Sequence, residues 1–191
     1  MAEFKLVGPA REYLPTYIEA LTRGWLPDNM RPEAADEELQ WIAADPDAFL
    51  ASQVDRQARW PPIMLPDGST VRRLPGFNLW MWDGEFCGRI GFRWQPGTED
   101  LPAHCLGHIG YTVVPWKRRL SYATRALGAI LPDAWAEGLR YVEITTDPDN
   151  VASQRVIERN GGVLVDEFLT VPALGGTLKR RYRIYCGDRM P

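Results

Sequence analysis

"VVPWKRRLSYATRALGAIL", residues 113–131, is the stretch that decides how this chain is read. An apolar run ends at Pro115, three cations follow at Lys117, Arg118 and Arg119, and a helical pattern has begun by Tyr122. Strand, turn and helix in that order leave free backbone N–H groups at the positive end of the helix dipole, where anionic phosphates bind. The helical stripe continues through Ala123, Ala126, Leu127, Ile130, Ala134 and Trp135. A bend or restart is expected at Pro132 and a stop at Gly138. Neither GxxxxGK(S/T) nor GxGxxG occurs, so the loops that hold nucleoside triphosphates and dinucleotides have no support.

Upstream, "FKLV" reads as a strand, and Leu14, Tyr17, Ile18, Leu21 and Trp25 recur at helical spacing. A second helix turns Leu39, Ile42 and Ala43 inward, Asp45-Pro46 interrupts it, and a third short piece carries Phe49, Leu50 and Val54. Four prolines between residues 58 and 76 mark a loop or small hairpin. "FNLWMWDGEFCGRIGFRWQ" is two β-rich runs joined by Asp83-Gly84, which suits a type I′ turn. "HCLGHIGYTVV" then predicts one strand over 104–114.

Downstream, "RYVEITTD" predicts a buried strand, and "NVASQRVIERNGG" a helix capped by Asn150 and closed by Asn160-Gly161. "VLVDEFLTV" and "TLKRRYRIYC" supply two last strands. Lys179, Arg181 and Arg183 on the final one suit an anion patch or an exposed edge guarded by cations. The order βααβββαβαββ is that of one α/β domain over 1–191, with 1–76 as an N-terminal strand, helices and loop ahead of a 77–191 core.

Composition narrows the class. The chain is 45% apolar and 25% charged, and its 22 basic and 25 acidic residues give a net charge of −3, which argues against nucleic acid as the main partner. The first residues hold no apolar leader, and no run approaches the roughly 18 apolar residues of a membrane helix, so a cytoplasmic protein with no membrane partner is expected. Cys87, Cys105 and Cys186 are odd in number and form no CxxC pair, so reduced thiols are expected. His104 lies about 13 Å from His108 if both sit on one strand. Cys105 would then point the other way, and no metal site is expected.

The pattern of apolar strand, Val-x-Pro, Arg118-Arg119, small-residue turn and Ala-Thr-x-x-Leu resembles the acetyl-CoA loop of the GNAT superfamily of N-acyltransferases. "TTDPDNVASQRVIERNGG" (145–162) resembles the later motif of the same superfamily, through Asn150, Ser153, Val156, Ile157 and Gly161. "LPDG", "RLPG" and "WDGEFCG" add a likeness to its bacterial predicted acetyltransferases. The resemblance implies a mixed, mostly antiparallel sheet flanked by helices and splayed between the strands at 106–114 and 141–147. It implies acetyl-CoA as co-substrate, held by Tyr111, Thr112, Val113, Arg118, Arg119, Leu120, Ser121, Tyr122, Ala123, Thr124, Asn150 and Ser153.

The activity so implied is acetyl transfer to a primary amine by direct attack in a ternary complex, with a homodimer among the expected states. Ser121 stands where the family usually has Gly. Two local conformations are open to it: a positive φ, costing on the order of 1 kcal/mol, or a helix N-cap. Ile157 stands where many relatives have a Tyr that protonates the departing thiolate. His108, just before "IGY" where relatives often have Glu, is the candidate base, with Glu143 in reserve. Two rivals remain open: a non-catalytic acyl-CoA binding or sensor domain, and an anion- or nucleic-acid-binding module built on the basic triplet.

Overall fold

The computed structural model describes residues 3–28, 31–65 and 67–186. Lys5–Val7 forms β1. The helical spacing that follows becomes α1 (Leu14–Thr22), which buries Leu14, Tyr17, Ala20 and Leu21 on one face. Next come α2 (Ala34–Ala44) and α3 (Pro46–Ser52). Asp45 parts them: its backbone is extended, its carboxylate accepts the Ala48 amide at 2.9 Å, and Pro46 takes the first helical position. The inward stripe of α2 runs through Ala35, Leu39 and Ile42. Ala43, expected inward, falls outside that stripe and is exposed. Val54, expected on the third helical piece, is an exposed residue of β2 (Val54–Asp55).

The proline-rich segment does form a small hairpin, β3 (Ile63–Met64) with β4 (Thr70–Val71), and of its four prolines Pro66 lies outside the described residues. β5 (Gly76–Trp82) and β6 (Phe86–Arg93) pair antiparallel. Their connection is not the expected two-residue type I′ turn. Trp82 pairs with Phe86, three residues make the loop, and of these Gly84 alone has positive φ. The physical reason lies outside the hairpin: the Asp83 carboxylate accepts bonds from Lys117 Nζ at 2.9 Å and Tyr122 O–H at 2.6 Å, and the register shifts at Cys87 to bring it there.

β7 is Ile109–Val113, shorter than expected. Residues 102–105 form a turn closed by the Cys105 amide on the Pro102 carbonyl at 2.8 Å, so His104 and His108 do not share a strand. α4 (Tyr122–Ala136) runs through Pro132 without restarting, because Ala126, Leu127, Ile130 and Ala134 on both sides of the proline are buried against the sheet. β8 (Tyr141–Thr146), α5 (Val151–Glu158), β9 (Val163–Leu169) and β10 (Leu178–Tyr185) complete the chain.

Two antiparallel sheets result, β1-β5-β6-β7 with β2 on β5, and β8-β10-β9. They meet where the His108 amide donates to the Glu143 carbonyl at 2.8 Å and diverge beyond it, between β7 and β8. This is the expected α/β arrangement of antiparallel sheets with flanking helices. β10 is the central strand of its sheet, not an exposed edge. Its cations are already engaged: Lys179 with Asp147, Arg181 with Glu143 and Asp166, Arg183 with Glu143.

One core lies between α4 and the sheets, around Ile90, Phe92, Leu127, Ile130 and Ile144. The opposite face of the first sheet is covered by α1 to α3, with Tyr17 stacked on Trp80 at 4.3 Å between ring centroids. Glu38 of α2 receives Tyr17 O–H and the Arg89 guanidinium, and Arg89 also donates to the Pro27 carbonyl at 2.7 Å. That half-buried set ties the α1–α2 connection down on β6. Among the described residues, no helix is long and apolar enough to cross a membrane.

Candidate active site

The divergence of β7 from β8 leaves the second edge of β7 without a strand partner past His108. A cleft of about 820 Å³ opens there. Its walls are Tyr111, Thr112 and Val113 on β7, the turn and first residues of α4, and the face of α5 from Asn150 to Arg159. Of the twelve residues the sequence assigned to the coenzyme, the structure brings eleven to this cleft; Leu120 is exposed and does not line it. Val151, Ala152, Arg155, Val156 and Arg159 line it too. Their helical period, one face of the helix that Asn150 opens, was a signal available in the sequence.

The turn before α4 is locally strained. Arg119 and Ser121 both have positive φ, +66 and +61. Of the two conformations open to Ser121 the backbone adopts the left-handed one, and its side chain caps nothing. The strain at Arg119 had no signal in the residue type. This backbone places the amides of Tyr122, Ala123 and Thr124 ahead of the first intrahelical bond of the turn, from the Arg125 amide to the Ser121 carbonyl at 3.0 Å. Arg118 and Arg119 are exposed and, among the described residues, bond to no acidic group. Arg155 and Arg159 face the same cleft, also without ion pairs among the described residues.

Lys117 is different. It is held by Asp83 at 2.9 Å and Glu85 at 2.7 Å, which outweigh burial and raise its pKa. Burial pushes Asp83 up, but the bonds from Tyr122 and Lys117 keep it below the usual carboxylate range. Lys117 therefore fastens the β5–β6 loop to the start of α4, and the basic triplet reduces to two guanidiniums without an acidic partner among the described residues.

On the other wall, the Asn150 side chain accepts the Ser153 amide at 3.1 Å, the predicted cap of α5. Tyr111 reaches across from β7 so that its hydroxyl lies 2.9 Å from Ser153 Oγ and 3.3 Å from the Ser153 carbonyl. Burial pushes the Tyr111 phenol up to about 12, so it stays a donor at neutral pH. Ile157 is fully buried in the core and faces no cleft.

Neither candidate base lines this cleft. His108 is fully buried and outside the cleft; its Nδ1 accepts the Glu143 amide at 2.9 Å and its Nε2 has no partner among the described residues. Burial, reinforced by Arg93, lowers its pKa to about 4 against a smaller opposing pull from Glu99. The Glu143 carboxylate is bound by Arg183 at 2.9 Å and Arg181 at 3.5 Å, and it also lies outside the cleft.

A family model for an acetyltransferase (GNAT) domain matches residues 19–163. That is most of the chain, and the chain belongs to the GNAT acetyltransferase family. No curated protein sequence matches it. Among solved structures, it is similar to a microcin C7 self-immunity acetyltransferase, MccE, in complex with acetyl-CoA and AMP. The TM-score is 0.64 at 14% identity, over 97% of this chain and 94% of that one. RimL, a ribosomal L7/L12 alpha-N-protein acetyltransferase in complex with coenzyme A, gives a TM-score of 0.63 at 15% identity, over 97% and 95%. The acetyltransferase from Salmonella typhimurium that modifies the N-terminal serine of L7/L12 gives 0.62 at 14%, over 97% and 96%. At these identities the likeness is one of fold.

Proposed function

Starting from membership of the GNAT acetyltransferases, we propose that this chain binds acetyl-CoA in the cleft between β7 and α5 and transfers its acetyl group to a primary amine in a ternary complex. GNAT enzymes use acetyl-CoA as co-substrate. The observation that carries the reading is the donor set at the start of α4: the Tyr122, Ala123 and Thr124 amides, the left-handed Ser121, and the unpaired Arg118 and Arg119. That set fits a diphosphate, because amides at a helix start and free guanidiniums both favour a compact dianion. The unpaired edge of β7 from Tyr111 to Val113 supplies backbone groups for the amide-bearing arm of the coenzyme.

When bound, acetyl-CoA supplies an electrophilic thioester carbonyl and a thiolate that can leave. The residues have three tasks. The turn at 118–124 anchors the phosphates, the β7 edge aligns the arm, and the Ser153 hydroxyl, backed by Tyr111 O–H, offers a proton at the mouth of α5. Ser153 and Tyr111 take the place left by Ile157. No nucleophilic Cys or Ser is needed for direct attack.

The alternative, a coenzyme-binding domain without turnover, draws on the position of His108 and Glu143, neither of which lines the cleft. Two measurements separate the readings. Calorimetry should find acetyl-CoA binding in preference to NAD and ATP, weakened tenfold or more at low salt in Arg118→Ala and Arg119→Ala. Absence of acetyl-CoA binding at millimolar concentration would refute both readings. Binding without thiol release over a broad amine panel would leave the non-catalytic one.

A further inference from the structure

A second cleft, of about 310 Å³, lies on the first sheet. Directly paired residues of an antiparallel sheet share a face, and one such row crosses the strands here as Asn78, Gly91 and Gly110. At the two glycines the space of a side chain is taken by neighbouring polar groups. A Cβ on Gly91 would come within 2.4 Å of Asn78 Oδ1, and one on Gly110 within 3.3 Å of Arg93 Nη2. Arg93 therefore lies over Gly110, the residue directly before Tyr111 of the coenzyme cleft. Arg93, which lines the second cleft, thus reaches the strand that forms one wall of the first.

Four arginines, at 72, 73, 89 and 93, and two carboxylates, Asp28 and Asp55, line this second cleft, and Asp28 acts on Arg89. Arg89 is spent on Glu38 and the Pro27 carbonyl, and Asp55 on the amides of Arg59 and Trp60 at 2.8 and 3.1 Å. Arg73 donates to the Pro61 carbonyl and faces Asp55. Arg72 and Arg93 line the cleft, are exposed, and have no acidic or hydrogen-bonded side-chain partner among the described residues. His104 lines it as well, with no hydrogen-bond partner among the described residues. Two guanidiniums without an acidic partner among the described residues, lining one cleft, make a seat for a carboxylate or a phosphate group.

We infer that this second cleft receives the acceptor, and that the acceptor is an amine carrying an anionic group. The inference rests on the acetyltransferase reading above. Arg72 and Arg93 bind the anion, which leaves the amine directed past Gly110 toward the coenzyme cleft, with the His104 imidazole available in the same cleft to take the ammonium proton. The step then balances: the amine nitrogen forms the bond to the acetyl carbon, the carbon–sulfur bond breaks, one proton goes to His104 and one reaches the sulfur.

The test uses the full chain saturated with acetyl-CoA. Binding of 3-aminopropylphosphonate and β-alanine is compared with that of β-alaninamide and propylamine by calorimetry, and thiol release is followed with each. The anionic amines should bind at least tenfold more tightly than the neutral ones. Arg93→Gln and Arg72→Gln should erase that preference while acetyl-CoA affinity stays within twofold. Preference for the phosphonate over β-alanine would identify phosphate as the group recognised, and the reverse a carboxylate; either supports the proposal. Equal binding of charged and neutral amines, binding of neither by coenzyme-loaded protein, or a preference that survives both substitutions would overturn it. Failure of acetyl-CoA itself to bind shows in the first titration and counts against the underlying reading instead.

Discussion

His108 should make this protein sensitive to mild acid, by an amount that can be worked out. In the folded chain its imidazole is fully buried, accepts the Glu143 amide through Nδ1, and has its pKa lowered from 6.5 to about 4, by burial first and by Arg93 second. The unfolded chain protonates this side chain near 6.5, and the folded chain does not until about 4. Between those values the unfolded state binds the extra proton, so stability is intact above 6.5 and declines as pH falls. Each tenfold difference in proton affinity between the two states is worth roughly 1.4 kcal/mol, so the loss amounts to about 2 kcal/mol between pH 7 and pH 5, and about 3 kcal/mol by pH 4.

Urea unfolding at pH 7, 6 and 5 should therefore show the wild type losing about 2 kcal/mol more than His108→Gln over that interval, since the carboxylates titrate alike in both. Proton NMR of the wild type gives an independent reading: the His108 ring should remain neutral at pH 5. Parallel stability profiles, or a ring that titrates near its ordinary value, would refute the burial argument. They would also return His108 to the groups that solvent and substrate can reach.

Ser121→Gly should raise stability by about 1 kcal/mol, read as a melting temperature about 2–4 °C higher, because the native φ of +61 is strained for Ser and its side chain makes no cap bond. Acetyl-CoA affinity should be kept or improved, and a tenfold loss would mean that the hydroxyl itself contacts the diphosphate. Ser153→Ala should lower kcat by on the order of 10² with little change in coenzyme affinity, if its hydroxyl supplies the proton to the leaving sulfur. Wild-type kcat in that variant would leave the Asn150 cap as the whole role of this turn.

Much of the architecture was legible in local pattern. Strand alternation, the helical period of α4 and α5, the Asn150 cap and the positive-φ glycines at 138 and 161 depend on residues a few positions apart, and the structure reproduces each of them. The cleft between β7 and α5 was legible for the same reason: its walls are two contiguous segments, the strand–turn–helix of 111–124 and the capped helix of 150–159. The second cleft was not. Its lining comes from residues 28, 52, 53, 55, 63, 72–74, 76–78, 89, 91–93, 104 and 105, which the pairing of β2, β5 and β6 and the packing of the connecting loops bring together.

Charge state was the part that tertiary structure alone decided. In the sequence Lys117, Arg118 and Arg119 are three equivalent cations, yet Lys117 is neutralised by Asp83 and Glu85 from a hairpin more than thirty residues upstream, while its two neighbours stay free. Glu143 looked available as a base until β10 placed Arg181 and Arg183 against it, and His108 until the first and second sheets closed over it. Residue type sets what a side chain can do. Whether it is free to do it depends on partners and burial contributed by distant segments, because Coulomb attraction and desolvation act through space and not along the chain.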